Sequence, residues 1–190
     1  MAIRDISAAA LKDAEDSVKT RGTFKLNKPE NARQNKNNPL QHFWTEAGRI
    51  VSAKHYEKLG KSGLMHDVFE IKVEMTADGS GENIGQKLTT FPRISFDATQ
   101  DNAPGDAVMS RMARALISQF LEACGIDLPR DSEDKRYLSA DLLTQVFTDA
   151  GGDSPVVGQM VMFEVKQTDP IDPKAPGAKY DVDIQTFMEA

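Results

Sequence analysis

A change in hydrophobic periodicity along the chain constrains its fold more than any other feature. Residues 68–75, VFEIKVEM, alternate apolar and charged side chains, which is the pattern of a half-buried antiparallel strand. Residues 103–126 instead repeat apolar side chains at steps of three and four, which predicts one long helix that ends at Gly125. Alternation returns in residues 156–168 and 178–187. The chain therefore combines antiparallel strands with a helix placed between them.

Shorter signals complete the predicted order of elements. A first strand passes through residues 49–51 and ends in a polar turn at residues 58–63. A third strand covers residues 86–96, where Pro92 indicates an edge position or a bulge. A second, short helix starts at the N-cap residue Ser139. This order predicts an α+β fold built on a five-stranded, OB-like antiparallel barrel with the main helix between strands 3 and 4. A generic α+β sandwich is the alternative fold.

The N-terminal 40 residues differ in composition from the rest of the chain. Residues 3–19 space their apolar side chains as in a short amphipathic helix. Its apolar face is thin, so it needs a partner surface on either the main domain or another subunit. Residues 23–40 are rich in Asn, Lys and Gln and predict a basic arm. We therefore divide the chain into an N-terminal helix and arm, residues 1–40, and an OB-like domain, residues 41–190.

The formal net charge of −6 conceals an asymmetry along the chain. Residues 1–60 contain 11 Lys and Arg against 7 Asp and Glu, whereas residues 61–190 contain 12 against 22. A basic stretch favours a polyanionic partner through the release of counterions, although an acidic protein with an incidentally basic start fits the charge equally well. No apolar run approaches the roughly 18 residues that span a bilayer, and the N-terminus lacks the apolar stretch of a signal peptide. We therefore expect a cytoplasmic protein with no membrane partner.

Catalytic motifs are absent from the sequence. It contains no phosphate-binding loop, dinucleotide fingerprint, HExxH zinc motif or nucleophile elbow. Its one cysteine, Cys124, falls late on the apolar side of the predicted long helix, which favours a buried residue. Its three histidines are scattered, and Asp181 and Asp183 lack an evident third ligand, so neither set predicts a metal site. We expect a protein that is not an enzyme and needs no cofactor.

Basic and aromatic residues are interleaved after the first predicted strand and within the third. They are Lys54, Tyr56, Lys58, Lys61, Lys87, Phe91 and Arg93. Single-stranded nucleic acid is bound by such sets, because cations track the phosphates while rings stack on unpaired bases whatever their identity. We expect the five cations to contact phosphates and the rings of Tyr56 and Phe91 to stack. Phe91 and Phe96 point to opposite faces of a regular strand, so at least one of them is expected in the core.

Several segments together resemble the phage-encoded single-stranded-DNA-binding proteins of replication and recombination modules. They are GRIVSAK, KSG, VFEIKVEMTADGSGENIGQKL, ALISQFLEACGIDL, VVGQMVMFEVKQT and YDVDIQTF, and they cover about residues 44–188. In that family, a strand pair with a Gly-containing turn is followed by a helix of the form LxxFLxxxGI and a strand that opens with VGxxVxFEV. The resemblance implies an OB-type barrel that coats single-stranded DNA and has no enzymatic activity.

Two functions are compatible with these patterns. The first is sequence-tolerant binding of single-stranded DNA in phage DNA replication or recombination, with the N-terminal helix and arm used for self-association or DNA contact. The alternative is a phage structural or assembly protein whose helix and arm wrap neighbouring subunits. Affinity for single strands that falls steeply as salt rises is expected of the first function and not of the second.

Overall fold

Three helices and six strands make up the described part of the chain. The computed structural model describes residues 3–20, 41–76, 84–170, 172, 174–179 and 181–188. In chain order the elements are α1 (Ala8–Thr20), β1 (Gln41–Leu59), β2 (Met65–Met75), β3 (Lys87–Thr90), β4 (Arg93–Ile94), α2 (Pro104–Ala123), α3 (Ala140–Val146), β5 (Met160–Thr168) and β6 (Asp181–Met188). The predicted α+β class is confirmed. The predicted arm, residues 23–40, lies outside the described residues.

The long strand β1 organises the sheet because it pairs with a neighbour on each side. Residues 41–49 are antiparallel to β5, and residues 48–59 are antiparallel to β2. Gly48 belongs to both halves. A Cβ atom built on Gly48 would lie 2.4 Å from Val73 Cγ1 and 2.9 Å from the carbonyl oxygen of Glu74. Glycine is therefore required where the two neighbouring strands approach β1 so closely.

A proline divides the third predicted strand into β3 and β4. Both pieces pair with β2, and Pro92 between them has no backbone N–H to donate. The register is the same on both sides of the break, because Thr90 lies opposite Ile71 and Arg93 lies opposite Val68. Of the two roles predicted for Pro92, the structure therefore has the edge position and not the bulge.

The two edges of the sheet approach each other without pairing. The strand order is β3-β2-β1-β5-β6, with β4 also beside β2. The Thr90 hydroxyl on β3 donates a hydrogen bond to Asp183 on β6 at 3.0 Å, but no backbone ladder joins these strands within the described ranges. The sheet is antiparallel, as predicted, but open. The predicted OB-like barrel is not confirmed, because a side-chain contact bridges the edges where a closed barrel has main-chain hydrogen bonds.

The long and the short helix after the third strand are both confirmed. Pro104 lies in the first turn of α2, and Gly125 follows the helix with a φ of +67°. Ser139 caps α3, since its hydroxyl accepts a hydrogen bond from the Leu142 N–H. Among the described residues, no helix is long and apolar enough to cross a bilayer.

Aromatic rings connect the helices to both halves of the sheet. The ring centroid of Phe120 on α2 lies 5.7 Å from that of Phe147, which follows α3, and 5.1 Å from that of Phe187 on β6. Phe147 lies 5.0 Å from Phe69 on β2, and Phe187 lies 6.3 Å from Phe163 on β5. All five side chains are buried. The core therefore lies between the sheet and the helices α2 and α3.

The helix α1 packs against α2 and joins the same core. Ile6, just before α1, pairs through its backbone with Leu138. Leu11 is only 1% exposed, and Glu15 accepts a hydrogen bond from the Ser118 hydroxyl of α2. Of the two partner surfaces that the sequence leaves open for this helix, the structure shows the chain's own domain.

Candidate nucleic-acid interface

One surface of the sheet carries most of the residues selected from the sequence. We call it the outer face, which is the side of β1, β2, β3 and β4 that points away from the core. In β2, Phe69 and Ile71 are fully buried, whereas Glu70 and Lys72 are partly exposed. Residues opposite each other in an antiparallel pair share a face. The register therefore assembles outer-face residues of different strands into rows.

The first row joins a cation, a carboxylate and an aromatic ring. Lys54 on β1 lies opposite Glu70 on β2. Phe91 lies on the other side of Glu70, because the register is unchanged across Pro92. Phe91 is 49% exposed. An exposed ring on a sheet surface is available for stacking on a base.

The neighbouring row contributes a second ring and a second cation. Tyr56 on β1 and Arg93 on β4 both lie opposite Val68 on β2. The Lys54 ammonium lies 5.8 Å from the centroid of the Tyr56 ring, which is a cation–π contact between the two rows. Successive residues on one face of a strand are about 7 Å apart. Lys54, Tyr56, Phe91 and Arg93 therefore form one small surface, which we call the central patch.

The end of β1 and the turn that follows it add two exposed cations. Lys58 lies on β1 opposite His66, so it belongs to the strand and not to the predicted turn, whereas Lys61 lies in the turn. Asp106, in the first turn of α2, accepts a hydrogen bond from the Ser62 hydroxyl and lies 3.3 Å from His66 Nε2. The turn that carries Lys61 is therefore fastened to α2.

Lys87 lies at the opposite end of the outer face. It is opposite Glu74, and its ammonium is 3.8 Å from that carboxylate, with 57% of the Lys87 side chain exposed. Phe91 follows Lys87 by four positions, which corresponds to about 13 Å along a strand. Lys87 therefore extends the basic surface and lies outside the central patch.

Two further cations on the outer face were missed by the sequence analysis. Arg49 lies opposite Glu74, and Lys72 lies opposite Ser52. The alternation in residues 68–75 was a usable signal for Lys72, because it places this lysine on the polar side of β2. Its proximity to Lys54 follows only from the pairing of β1 with β2.

The two phenylalanines of the third predicted strand have different environments. Phe96 is partly buried and packs against the core, with the guanidinium of Arg4 5.1 Å from its ring centroid. Phe91 is exposed on the outer face. The prediction that at least one of them belongs to the core is confirmed.

Cys124 and His55, two side chains of types that often take part in catalysis, are both buried. Cys124 is buried, as predicted, and burial raises the pKa of its thiol to about 12, so the reactive thiolate is scarce near neutral pH. His55 Nε2 lies 2.7 Å from Asp67 Oδ1, and the His55 ring lies beside the buried ring of Phe69. Within the described ranges, no group of three or more His, Cys, Asp and Glu side chains could hold a metal ion.

No protein-family model and no curated protein matches the chain. The chemistry of the outer face is therefore the basis for assigning a function. The described strands bring together on this face two aromatic rings, six cations and two carboxylates, which are Tyr56, Phe91, Arg49, Lys54, Lys58, Lys72, Lys87, Arg93, Glu70 and Glu74.

Proposed function

We propose that this protein binds single-stranded DNA in a sequence-tolerant manner, in phage DNA replication or recombination, through the outer face. The observation that carries the proposal is the central patch, in which Tyr56 and the exposed Phe91 lie in neighbouring rows beside Lys54 and Arg93. Such rings stack on unpaired bases at about 1–3 kcal/mol per base, and cations beside them neutralise phosphates. The phage role is taken from the sequence resemblance.

An OB-type barrel is the fold that we infer from the strand order. When β3 and β4 are counted as one interrupted strand, five strands are left, and the first pairs with both the second and the fourth. The main helix lies between the third and the fourth of these strands. OB folds are partly open barrels that bind oligonucleotides on the face of strands 2 and 3 and at the loop between strands 1 and 2. These elements correspond to the outer face and to the turn that carries Lys61.

The length of the outer face suits a short run of nucleotides. Lys87 and Lys58 lie opposite Glu74 and His66 of β2, so their rows are about 27 Å apart along the strand. That distance accommodates about four extended nucleotides, the low end of the site sizes of OB folds. In this arrangement bases stack at the central patch, and phosphates contact the cations towards both ends.

Neutralising Lys87 and Arg93 together is expected to weaken binding to oligo-dT without affecting folding. Each lost phosphate contact lowers the slope of log affinity against log salt by about 0.7 for a single strand, so Lys87→Gln with Arg93→Gln should lower it by about 1.4. Both side chains are exposed, and exposed charges contribute little to stability. Fluorescence anisotropy titrations at several salt concentrations measure the slope, and thermal melting checks the fold.

A charge-matched control is available in the loop between α2 and α3. Arg130→Gln with Lys135→Gln removes the same charge from exposed residues that pair with Asp134 and Glu133. This control should keep the parental slope. An equal loss in both double variants would mean that net charge alone drives binding and would contradict the outer face as the site. A parent protein that fails to bind oligo-dT at low salt would contradict the function and favour the assembly alternative.

Phe91→Ala is expected to weaken binding to oligo-dT by about 1–3 kcal/mol, the contribution of one stacked base. Its stability should change little, because the ring is 49% exposed, whereas truncating a core phenylalanine costs about 3–5 kcal/mol. Phe96→Ala is the matched control, since that ring packs against the core. It should lower the melting temperature and leave the affinity of the folded protein unchanged. Parental affinity in Phe91→Ala would exclude stacking by this ring.

A further inference from the structure

Glu70 occupies a position that phosphate binding does not explain. It lies between Lys54 and Phe91 in the first row, and its side chain is 20% exposed. Its Oε1 atom is 3.9 Å from Lys72 Nζ, so a cation is close but no phosphate can lie over the carboxylate without like-charge repulsion. This point of the outer face therefore suits a part of the ligand that carries N–H donors.

The four nucleobases differ in the number of N–H donors that they present at their edges. An ionised glutamate only accepts hydrogen bonds. Guanine presents two adjacent N–H donors that match the two carboxylate oxygens, and cytosine and adenine each present one amino group. Thymine places a carbonyl oxygen on each side of its single N–H, and a carboxylate repels both. A carboxylate beside a stacked base therefore discriminates against thymine.

The position of Phe91 brings a base within reach of Glu70. Residues directly opposite each other in an antiparallel pair have Cβ atoms about 4.5–5.5 Å apart. A base stacked on the exposed Phe91 ring can thus present its edge to the Glu70 carboxylate. We propose that Glu70 gives the outer face a preference for bases with amino donors, guanine above all, over thymine. This inference rests on the proposed function and adds a modest preference to otherwise sequence-tolerant binding.

Glu74 provides a matched control on the same strand. It lies four residues from Glu70 on the same face, and its ion-pair partner Lys87 is 3.8 Å away. Its row consists of Arg49, Glu74 and Lys87 and contains no aromatic ring. Neutralising either glutamate removes one negative charge from the outer face, but only Glu70 has a stacking ring beside it.

The experiment compares the full-length parent, Glu70→Gln and Glu74→Gln by fluorescence anisotropy with three oligonucleotides of equal length: oligo-dT, repeating TTG and repeating TTA. The parent should bind the TTG repeat at least about fivefold more tightly than oligo-dT, the low end for one bidentate base contact. Glu70→Gln should reduce this ratio to about twofold or less, partly by tightening the binding of oligo-dT. Glu74→Gln should tighten all three complexes by a common factor and keep the parental ratio. Melting curves check that both isosteric variants fold.

The other possible results distinguish a failure of the role proposed for Glu70 from a failure of single-strand binding itself. Equal affinity of the parent for all three oligonucleotides overturns the role of Glu70 and leaves single-strand binding intact. A preference for the TTG repeat that survives in Glu70→Gln also overturns the role of Glu70. The stronger stacking of purines would then explain the preference, and the TTA repeat should show it too. A ratio that falls equally in both variants also overturns the assignment to Glu70. Failure of the parent to bind any of the three overturns the proposed function itself.

Discussion

Gly48→Ala is expected to lower the free energy of unfolding by about 3 kcal/mol, the upper end for overpacking a core. The added Cβ would lie 2.4 Å from Val73 Cγ1, 2.9 Å from the Glu74 carbonyl oxygen and 3.0 Å from the Phe163 ring. A side chain can turn away from such a contact, but the carbonyl belongs to the ladder between β1 and β2. Relief of the clash therefore requires the strands to separate. Urea denaturation monitored by circular dichroism measures the loss.

Gly152→Ala is the control for this substitution. A Cβ on Gly152 would meet no atom within 4 Å, so its stability should stay within about 0.5 kcal/mol of the parent, as for an ordinary surface change. The two variants differ only in what surrounds the added methyl group. If Gly48→Ala were as stable as Gly152→Ala, the close approach of β2 and β5 to β1 at Gly48 would be contradicted.

Leu11→Ala is expected to destabilise the protein by about 3 kcal/mol, within the range for truncating a buried leucine. Leu11 is 1% exposed and belongs to the core cluster that also contains Phe120 of α2. Removing its side chain leaves a cavity in the core beside α1, which the surrounding close-packed side chains can fill only in part. Urea denaturation measures the change, and sedimentation velocity shows whether self-association changes with it.

Lys12→Ala is the adjacent control on the same helix. The Lys12 side chain is 73% exposed and pairs with Asp16 one turn later, an interaction worth about 0.3–0.5 kcal/mol. Its loss should barely move the denaturation midpoint. If Leu11→Ala instead kept the parental stability and altered only self-association, α1 would serve another subunit and its packing against α2 would be contradicted.

The elements that were best predicted are those whose signals are local. The helix α2 has apolar residues at helical spacing between Pro104 and Gly125, and α3 has its cap at Ser139. Both signals depend on residues within a few positions of one another, so no knowledge of the fold is needed to interpret them. Closure of the sheet is not local. It depends on how closely β3 approaches β6, so the local patterns that predicted the strands did not determine whether they form a barrel.

The sequence predicted which residues belong to the candidate site but not how they are arranged. All seven selected residues come from two stretches in which basic and aromatic residues alternate, and six of them lie on the outer face, with Lys61 in the adjoining turn. The sequence did not distinguish the central patch from its ends. It also did not single out Glu70, because a glutamate in an alternating strand is most simply interpreted as a solvated residue.

The sequence by itself determined which side chains share a face within each strand and each helix, because the periods of 2 and 3.6 residues are properties of the local backbone. Only the tertiary structure decided which faces are neighbours. Lys54, Glu70 and Phe91 are far apart along the chain, and they form one row because β1 and the interrupted third strand pair with opposite edges of β2. Likewise, the amphipathic pattern of α1 required a partner surface, and the choice of α2 depended on packing between distant segments. Hydrogen-bond ladders and buried contacts between distant residues have no local period, so a single sequence does not display them.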